Sequence, residues 1–338
     1  LGDVQSGGMG FDTRIDTFRS GSCGILELRE VGSWRIGQKK MKQKSNGKNV
    51  LASVLNEEER IMQSEKQEIR LVAVDLDGTL LHEDKSISDY TLKVLRNIVK
   101  KGVILVPASG RPLEGMKKAV LNQVDGIKYA ICSNGAMLMD VPEERCICEA
   151  GIPTEKAVEA LAFLEQFPTA VYAHTDQGTF REVGWEKTGL SEKYPYIKFS
   201  EGNVENLREF LKTSGVKVLK MGAFALEDGL AQKILEKGSP TPGIVFLRTG
   251  DGIVEVNSVD ASKGNALCIL CKKLKISMEN VLAIGDNEND ISMLQSVGVS
   301  VAMGNAEEDV KQVAKYVTGN NEDDGAGHFL EEWVLNRD

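Results

Sequence analysis

Residues 69–79 read Ile69-Arg-Leu-Val-Ala-Val-Asp75-Leu-Asp77-Gly78-Thr79. From Ile69 to Val74 the run is almost continuously apolar. A strand with one face in water alternates apolar and polar residues, so an unbroken run implies burial on both faces, as in a parallel sheet covered by helices. The run ends in two carboxylates, a glycine and a hydroxyl. In open parallel sheets the carboxyl edge carries the functional loops.

The pattern repeats on both sides of that stretch. A helix is expected from Ser88 to Lys101, stopped by Gly102. Val103–Val106 and Tyr129–Cys132 are further buried strands, with a helix from Pro112 to Leu121 between them. Val281–Ile284 and Val299–Ala302 repeat the form around a helix from Glu288 to Ser296. Strands alternating with helices predict an α/β fold with a doubly wound, Rossmann-like parallel sheet.

Residues 142–255 break this rhythm. They read as helix Thr154–Phe167, a hairpin around Asp176-Gln-Gly178, helix Val204–Thr213, strand Val216–Phe224, helix Leu226–Glu236, and a strand pair around Asp251-Gly252. This is an α+β module with an antiparallel sheet. The expected division is a leader at 1–65, a core formed by 66–141 and 256–338, and the inserted module at 142–255.

The 338 residues suit more than one domain, and 41% apolar content allows a sizeable core. The net charge of −9 argues against a protein that coats nucleic acid or an anionic membrane. It is uneven: the first 50 residues carry nine Lys/Arg against five Asp/Glu, and the remaining 288 carry −13. No apolar run is long enough for a membrane span. The basic leader is read either as a transit peptide to an organelle such as a plastid or as a disordered tail. A soluble intracellular protein is expected, cytoplasmic unless the leader directs it elsewhere. Six cysteines are sparse for the length and fit a reducing compartment. Cys268-x-x-Cys271 lies within a helix with no second pair nearby in sequence, so it reads as ordinary thiols. Tyr172, Phe180, Trp185 and Tyr194 read as packing residues of the module, and Arg111 as a surface side chain.

Four strand ends carry chemistry: Asp75-Leu-Asp77-Gly-Thr, Ser109-Gly110-Arg111, Ser133-Asn134-Gly135 and Gly285-Asp286-Asn-Glu-Asn289-Asp290. Clustered carboxylates repel one another unless a cation offsets them. Oxygen donors without His or Cys select Mg²⁺, which normally shares its shell with a substrate phosphate. Ser109 and the amides after it suit phosphate oxygens. Lys263 stands in the first turn of a helix capped by Ser262, where its charge opposes the helix dipole unless an anion lies beside it.

The first, second and fourth of these segments, with Ser262-Lys263-Gly264, resemble the four ordered motifs of the haloacid dehalogenase superfamily. The inserted module and Ser133-Asn134-Gly-Ala look like its Cof-type (class IIB) phosphatases. The tail Asn320-Asn-Glu-Asp-Asp-Gly325 is similar to the family's closing loop. The resemblance covers about residues 69–335. It implies that Asp75 is the nucleophile, forming an aspartyl phosphate, and that Asp77 is the general acid and base. It implies Mg²⁺ held by the Asp75 carboxylate, the Asp77 backbone carbonyl and Asp286, with Asp290 orienting that shell. Ser109, Gly110 and Lys263 would bind the phosphoryl group, and Asn134 and Asn289 would sit near it or near the leaving group. The second motif has Ser109 where relatives often have Thr, and the hydroxyl is kept. The activity implied is phosphatase action on small phosphorylated metabolites, either sugar phosphates or phosphorylated cofactors such as flavin or pyridoxal phosphates. A phosphomutase or phosphotransferase, or a non-catalytic member of the fold, are the alternatives. No nucleic-acid or membrane partner is expected, and the oligomeric state has no signature in the sequence.

Overall fold

Strand β1 (Leu71–Val74) is fully buried at every position, which is why its sequence shows no alternation. The structure, a computed structural model, describes residues 68–190, 202–239, 241–249 and 252–336. The leader and Tyr194 lie outside the described residues.

Helix α1 (Asp89–Lys100) starts where the Ser88 side chain accepts a hydrogen bond from the Thr91 amide. It packs Leu92, Val94, Leu95 and Ile98 into the core. Strand β2 (Ile104–Pro107) then returns parallel to β1, with Leu71 opposite Ile104. The next helix is an α turn, α2 (Leu113–Met116), continued by a π turn to Leu121.

Strand β3 (Tyr129–Cys132) departs from expectation. It was predicted as another strand of the parallel sheet, but it lies beside β2 without a ladder to it, joined by an isolated parallel bridge from Ala108, just past β2, to Ile131. Its ladder runs instead to β4 (Met137–Asp140), which pairs with β5 (Arg145–Glu149), all antiparallel. The bridge suffices to bring the loop after β3 beside the loop after β2.

The inserted module follows: α3 (Thr154–Leu164), β6 (Thr169–Thr175), β7 (Gly178–Glu182), the short β8 (Asn203–Val204), α4 (Leu207–Thr213), β9 (Val218–Ala225), α5 (Leu230–Lys237), β10 (Ile244–Arg248) and β11 (Ile253–Ser258). Their sheet has the order β10-β11-β9-β6-β7-β8. Among the described residues, β8 and a 3₁₀ turn at Trp185–Thr188 add to the order that the sequence predicts. Helices α3, α4 and α5 cover one sheet face with a separate apolar core that includes Leu161, Leu211 and Ile234. On the other face Tyr172, Trp185 and Phe224 pack together.

The chain re-enters the core through α6 (Lys263–Leu274), β12 (Val281–Gly285), a 3₁₀ turn leading into α7 (Ile291–Leu294), β13 (Val299–Ala302), α8 (Glu308–Val313), β14 (Tyr316–Val317) and α9 (Gly325–Leu330). The parallel sheet order is β14-β13-β12-β1-β2. Winding reverses beside β1, between β12 and β2, and a crevice forms at such a switch point. No helix among the described residues is long and apolar enough to cross a membrane.

Candidate active site

Asp75 follows β1 at the switch point and is 4% exposed. Lys263 opens α6 and is fully buried. Its Nζ donates to Asp75 Oδ1 and to Asp290 Oδ1, both at 2.7 Å. The two carboxylates resolve the conflict between a first-turn cation and the helix dipole. Burial pulls the lysine pKa down, but Asp290 and Asp75 outweigh it and hold the ammonium above its usual value.

Asp286 follows β12. Its Oδ1 accepts from Thr79 Oγ1 at 2.9 Å. Asp75, Asp286 and Asp290 bring one carboxylate oxygen each within 4.8 Å of one another. Burial pushes the Asp75 carboxyl well above its ordinary value; Lys263 opposes this, while Asp290 and Asp286 add to it. Burial and then Asp290 raise Asp286 to about 6. Three carboxylates therefore share one ammonium, and a divalent cation would restore the balance. The donor set is all oxygen, which fits Mg²⁺. Asp290 is otherwise committed: its Oδ2 accepts from the Asp286 and Asn287 amides at 3.0 and 3.1 Å. That capping box leaves it able to fix the Asp286 loop.

The glycine between Asp77 and Thr79 is required. Gly78 has φ +77°, and a Cβ there would lie 2.3 Å from Asp286 Oδ2.

Asp77 stands apart from the carboxylate cluster. Arg111, expected as a surface residue, grips it with Nε to Oδ2 and Nη2 to Oδ1, both 2.7 Å. Lys85 Nζ adds a contact at 3.1 Å. Burial pushes the Asp77 pKa up, but Arg111 and then Lys85 prevail and hold it below the ordinary value.

Ser109 is buried, and its Oγ accepts from the Arg111 amide at 3.2 Å. Asn134 sits in a turn where Ser133, Asn134 and Gly135 all have positive φ. Its Oδ1 accepts from Asn289 Nδ2 at 3.0 Å, and its Nδ2 donates to Glu255 Oε2. Asn289 Oδ1 lies 3.5 Å from Lys263 Nζ. Every residue named from the sequence is thus at this edge: Asp75, Asp286, Asp290, Lys263, Asn289 and Asn134 form one connected group, while Asp77, Ser109 and Gly110 line its flank.

Five participants carried no role in the sequence-based expectation, although Thr79 and Arg111 stand within its quoted segments. Arg111, Lys85 and Thr79 belong to flanking loops. Lys220 and Glu255 come from the inserted module, on β9 and β11, as a buried ion pair. A signal for this pair exists: a lysine inside the apolar Val218-Leu-Lys-Met, and Glu255 and Asn257 on one face of Ile253-Val-Glu-Val-Asn.

The family profile described as haloacid dehalogenase-like hydrolase matches residues 72–330. The 5-amino-6-(5-phospho-D-ribitylamino)uracil phosphatase YcsE of Bacillus subtilis is 28% identical over 274 residues, covering 81% of this chain and 99% of its own. The pyridoxal phosphate phosphatase YbhA of Escherichia coli is 29% identical, covering 77% of this chain and 97% of its own. The solved structure of a haloacid dehalogenase-like hydrolase from B. subtilis matches with a TM-score of 0.69 at 27% identity, over 78% of this chain and 99% of that one. The chain belongs to the haloacid dehalogenase-like hydrolases, as a Cof-type phosphatase.

Proposed function

We propose that the chain is a Mg²⁺-dependent phosphomonoesterase that releases phosphate from small metabolites through an aspartyl phosphate on Asp75. The observation that carries this reading is the buried Asp75–Lys263–Asp290 arrangement beside Asp286. The Asp75 carboxylate attacks phosphorus, and the ester oxygen leaves with a proton. Asp77 supplies that proton and later takes one from the hydrolytic water. It can donate only when protonated, so the Arg111 and Lys85 contacts have to give way first. Lys263 and Ser109 carry charge and hydrogen bonds to the phosphoryl oxygens. Mg²⁺, held by Asp75, the Asp77 carbonyl and Asp286, supplies charge neutralisation at the transferring group when bound. Asp290 keeps Asp286 and Lys263 in place.

The module from α3 to β11 serves as a cap that closes over this edge, excludes water and selects the leaving group. The relatives' names point to phosphorylated cofactors and their precursors as substrates. A phosphate-release assay over sugar phosphates, flavin and pyridoxal phosphates and p-nitrophenyl phosphate, with and without Mg²⁺, tests the reading. Release that requires Mg²⁺ is expected. Transfer to a second substrate hydroxyl instead of water would make the chain a phosphotransferase, and no turnover of any ester would overturn the proposal.

A further inference from the structure

A chain of hydrogen bonds crosses from the cap to the buried lysine of the catalytic edge. On the cap, Glu255 Oε1 accepts from Lys220 Nζ, and Glu255 Oε2 accepts from Asn134 Nδ2 of the core. Asn134 Oδ1 accepts from Asn289 Nδ2 at 3.0 Å, and Asn289 Oδ1 faces Lys263 Nζ at 3.5 Å. Lys220, Glu255, Asn134 and Lys263 are all buried, and Asn289 is half-buried.

The two ends make the chain directional. A carboxylate only accepts and an ammonium only donates. Glu255 therefore holds the Nδ2 side of the Asn134 amide, and Asn257 Oδ1, 3.5 Å from the same nitrogen, is a second acceptor there. That leaves Asn134 Oδ1 for Asn289, which in turn presents its own Oδ1 to Lys263. Turning either amide over would set like ends together at Glu255, at Lys263 or between the two amides, and each mismatch is costly in a buried place. The Asn134 backbone is fixed as well. Its N–H donates to the Ser109 carbonyl at 3.0 Å, and a Cβ on Gly135 would overlap the Ser262 carbonyl. The turn is wedged between the phosphate loop and the first turn of α6, and its side chain reaches the cap.

We propose that Glu255 is a positioning residue for Lys263: the seated cap fixes the amides of Asn134 and Asn289, and these aim the ammonium at the phosphoryl group on Asp75. The proposal rests on the phosphatase reading. Asp75 and Asp290 each take one N–H of Lys263 at 2.7 Å, and Asn289 directs the third. As Asp75 bonds to phosphorus its own charge falls, so Asp290 and Asn289 are left to hold Nζ toward the phosphoryl oxygens. The leaving group has no part in this chain, which separates it from substrate recognition.

Two cap variants test it. Both remove the two charges together, so neither is left buried alone. Lys220→Met/Glu255→Gln keeps an acceptor for Asn134, and Lys220→Met/Glu255→Leu does not. The readouts are turnover of p-nitrophenyl phosphate with Mg²⁺ and its inhibition by orthovanadate, which carries no leaving group and mimics pentacoordinate phosphorus. The leucine variant is expected to lose about 10–100-fold in kcat with little change in KM, as when a working group is slightly misplaced. Its vanadate affinity should fall by a similar factor. The glutamine variant is expected to recover most of both losses. In an Asn134→Ala background the two cap variants should be alike, because the link they act through is gone. Thermal melting establishes that each variant is folded. If the leucine variant melts below the assay temperature, Glu255→Gln alone replaces it: the Lys220 ammonium claims Oε1 and turns Nε2 toward Asn134, so the same loss is expected. Equal kcat and vanadate inhibition in the folded leucine and glutamine variants, a loss confined to KM, or a difference that persists in the Asn134→Ala background overturns the proposal and leaves the phosphatase reading standing. If wild type does not cleave p-nitrophenyl phosphate or any ester of the wider panel, the phosphatase reading fails and the proposal with it.

Discussion

Arg111 holds Asp77 in a bidentate grip, two parallel hydrogen bonds of 2.7 Å each. This geometry is the strongest that a guanidinium and a carboxylate can make, and it keeps ionised the group that must protonate the leaving oxygen. Arg111→Met is therefore expected to raise the Asp77 pKa and shift the basic limb of the kcat–pH profile upward for an alkyl phosphate. An aryl phosphate, whose phenolate leaves without help, should show a much smaller shift. Equal profiles for wild type and variant on the alkyl ester would contradict the link. Asp77 is about two-fifths exposed, so the change in stability should stay below about 1 kcal/mol.

Replacing the nucleophile separates chemistry from scaffold. Asp75→Asn keeps shape but cannot attack phosphorus, and a loss of about 10⁴-fold or more in kcat is expected. Lys263 retains Asp290 as a partner, so the variant should remain folded by circular dichroism. A variant with near-wild-type turnover would refute an aspartyl phosphate on Asp75.

Lys263 carries the opposite risk. It is fully buried between Asp75 and Asp290, and Lys263→Met leaves three carboxylates with no internal cation. A loss of about 3–5 kcal/mol is expected in chelator-treated protein at pH 7.5, measured by urea unfolding. The deficit should shrink at pH 5, where Asp75 and Asp286, both raised by burial, take up protons. Mg²⁺ should recover part of it at pH 7.5, and a pH-independent deficit would argue against the charge explanation.

As the proposed Mg²⁺ ligand, Asp286 would make metal binding depend on pH. Its pKa lies at about 6, above the ordinary 3.8. A carboxyl raised on folding binds a proton more tightly in the folded state, so in chelated protein the Asp286 contribution to stability falls as pH rises from about 4 to about 6 and then levels. Mg²⁺ must displace that proton, so its stabilisation is weak at pH 5 and full at pH 7.5. The measurement is the Mg²⁺-induced change in melting temperature at the two pH values. An equal change at both would show that Asp286 is not a ligand.

The core and its loops were legible because they rest on local signals. A doubly buried strand has no alternation, as β1 shows, and each motif stands immediately after its strand. Lys263 was marked only weakly by its first-turn position, and the family resemblance supplied its role. What the sequence hid depends on contacts between distant segments. Arg111 resembles any loop arginine until the fold sets it against Asp77, 34 residues away. Lys220 and Glu255 are 35 residues apart, on strands whose adjacency the β9–β11 register decides. β3 was misplaced because an apolar run of four residues suits an antiparallel hairpin as well as a parallel sheet, and the β4–β5 partners that capture it lie in an ordinary polar-flanked stretch.

Gly78 tests how closely the first motif is built around Asp286. With φ +77°, any Cβ is strained, and this one would sit 2.3 Å from Asp286 Oδ2. The strain alone costs about 1–3 kcal/mol, which a folded domain of this size tolerates. The contact cannot be tolerated in place: Asp286 must swing away, breaking its 2.9 Å bond from Thr79. Gly78→Ala should therefore remain folded yet bind Mg²⁺ roughly 10–100-fold more weakly, the range seen when a ligand loses its supporting contacts. Isothermal titration with Mg²⁺ checks this without relying on turnover. Raising Mg²⁺ should restore part of the phosphate release, because the displaced carboxylate is weakened as a ligand but not removed. Unaltered Mg²⁺ affinity in the folded variant would show that the loop yields at Gly78 and that Asp286 does not depend on its close approach.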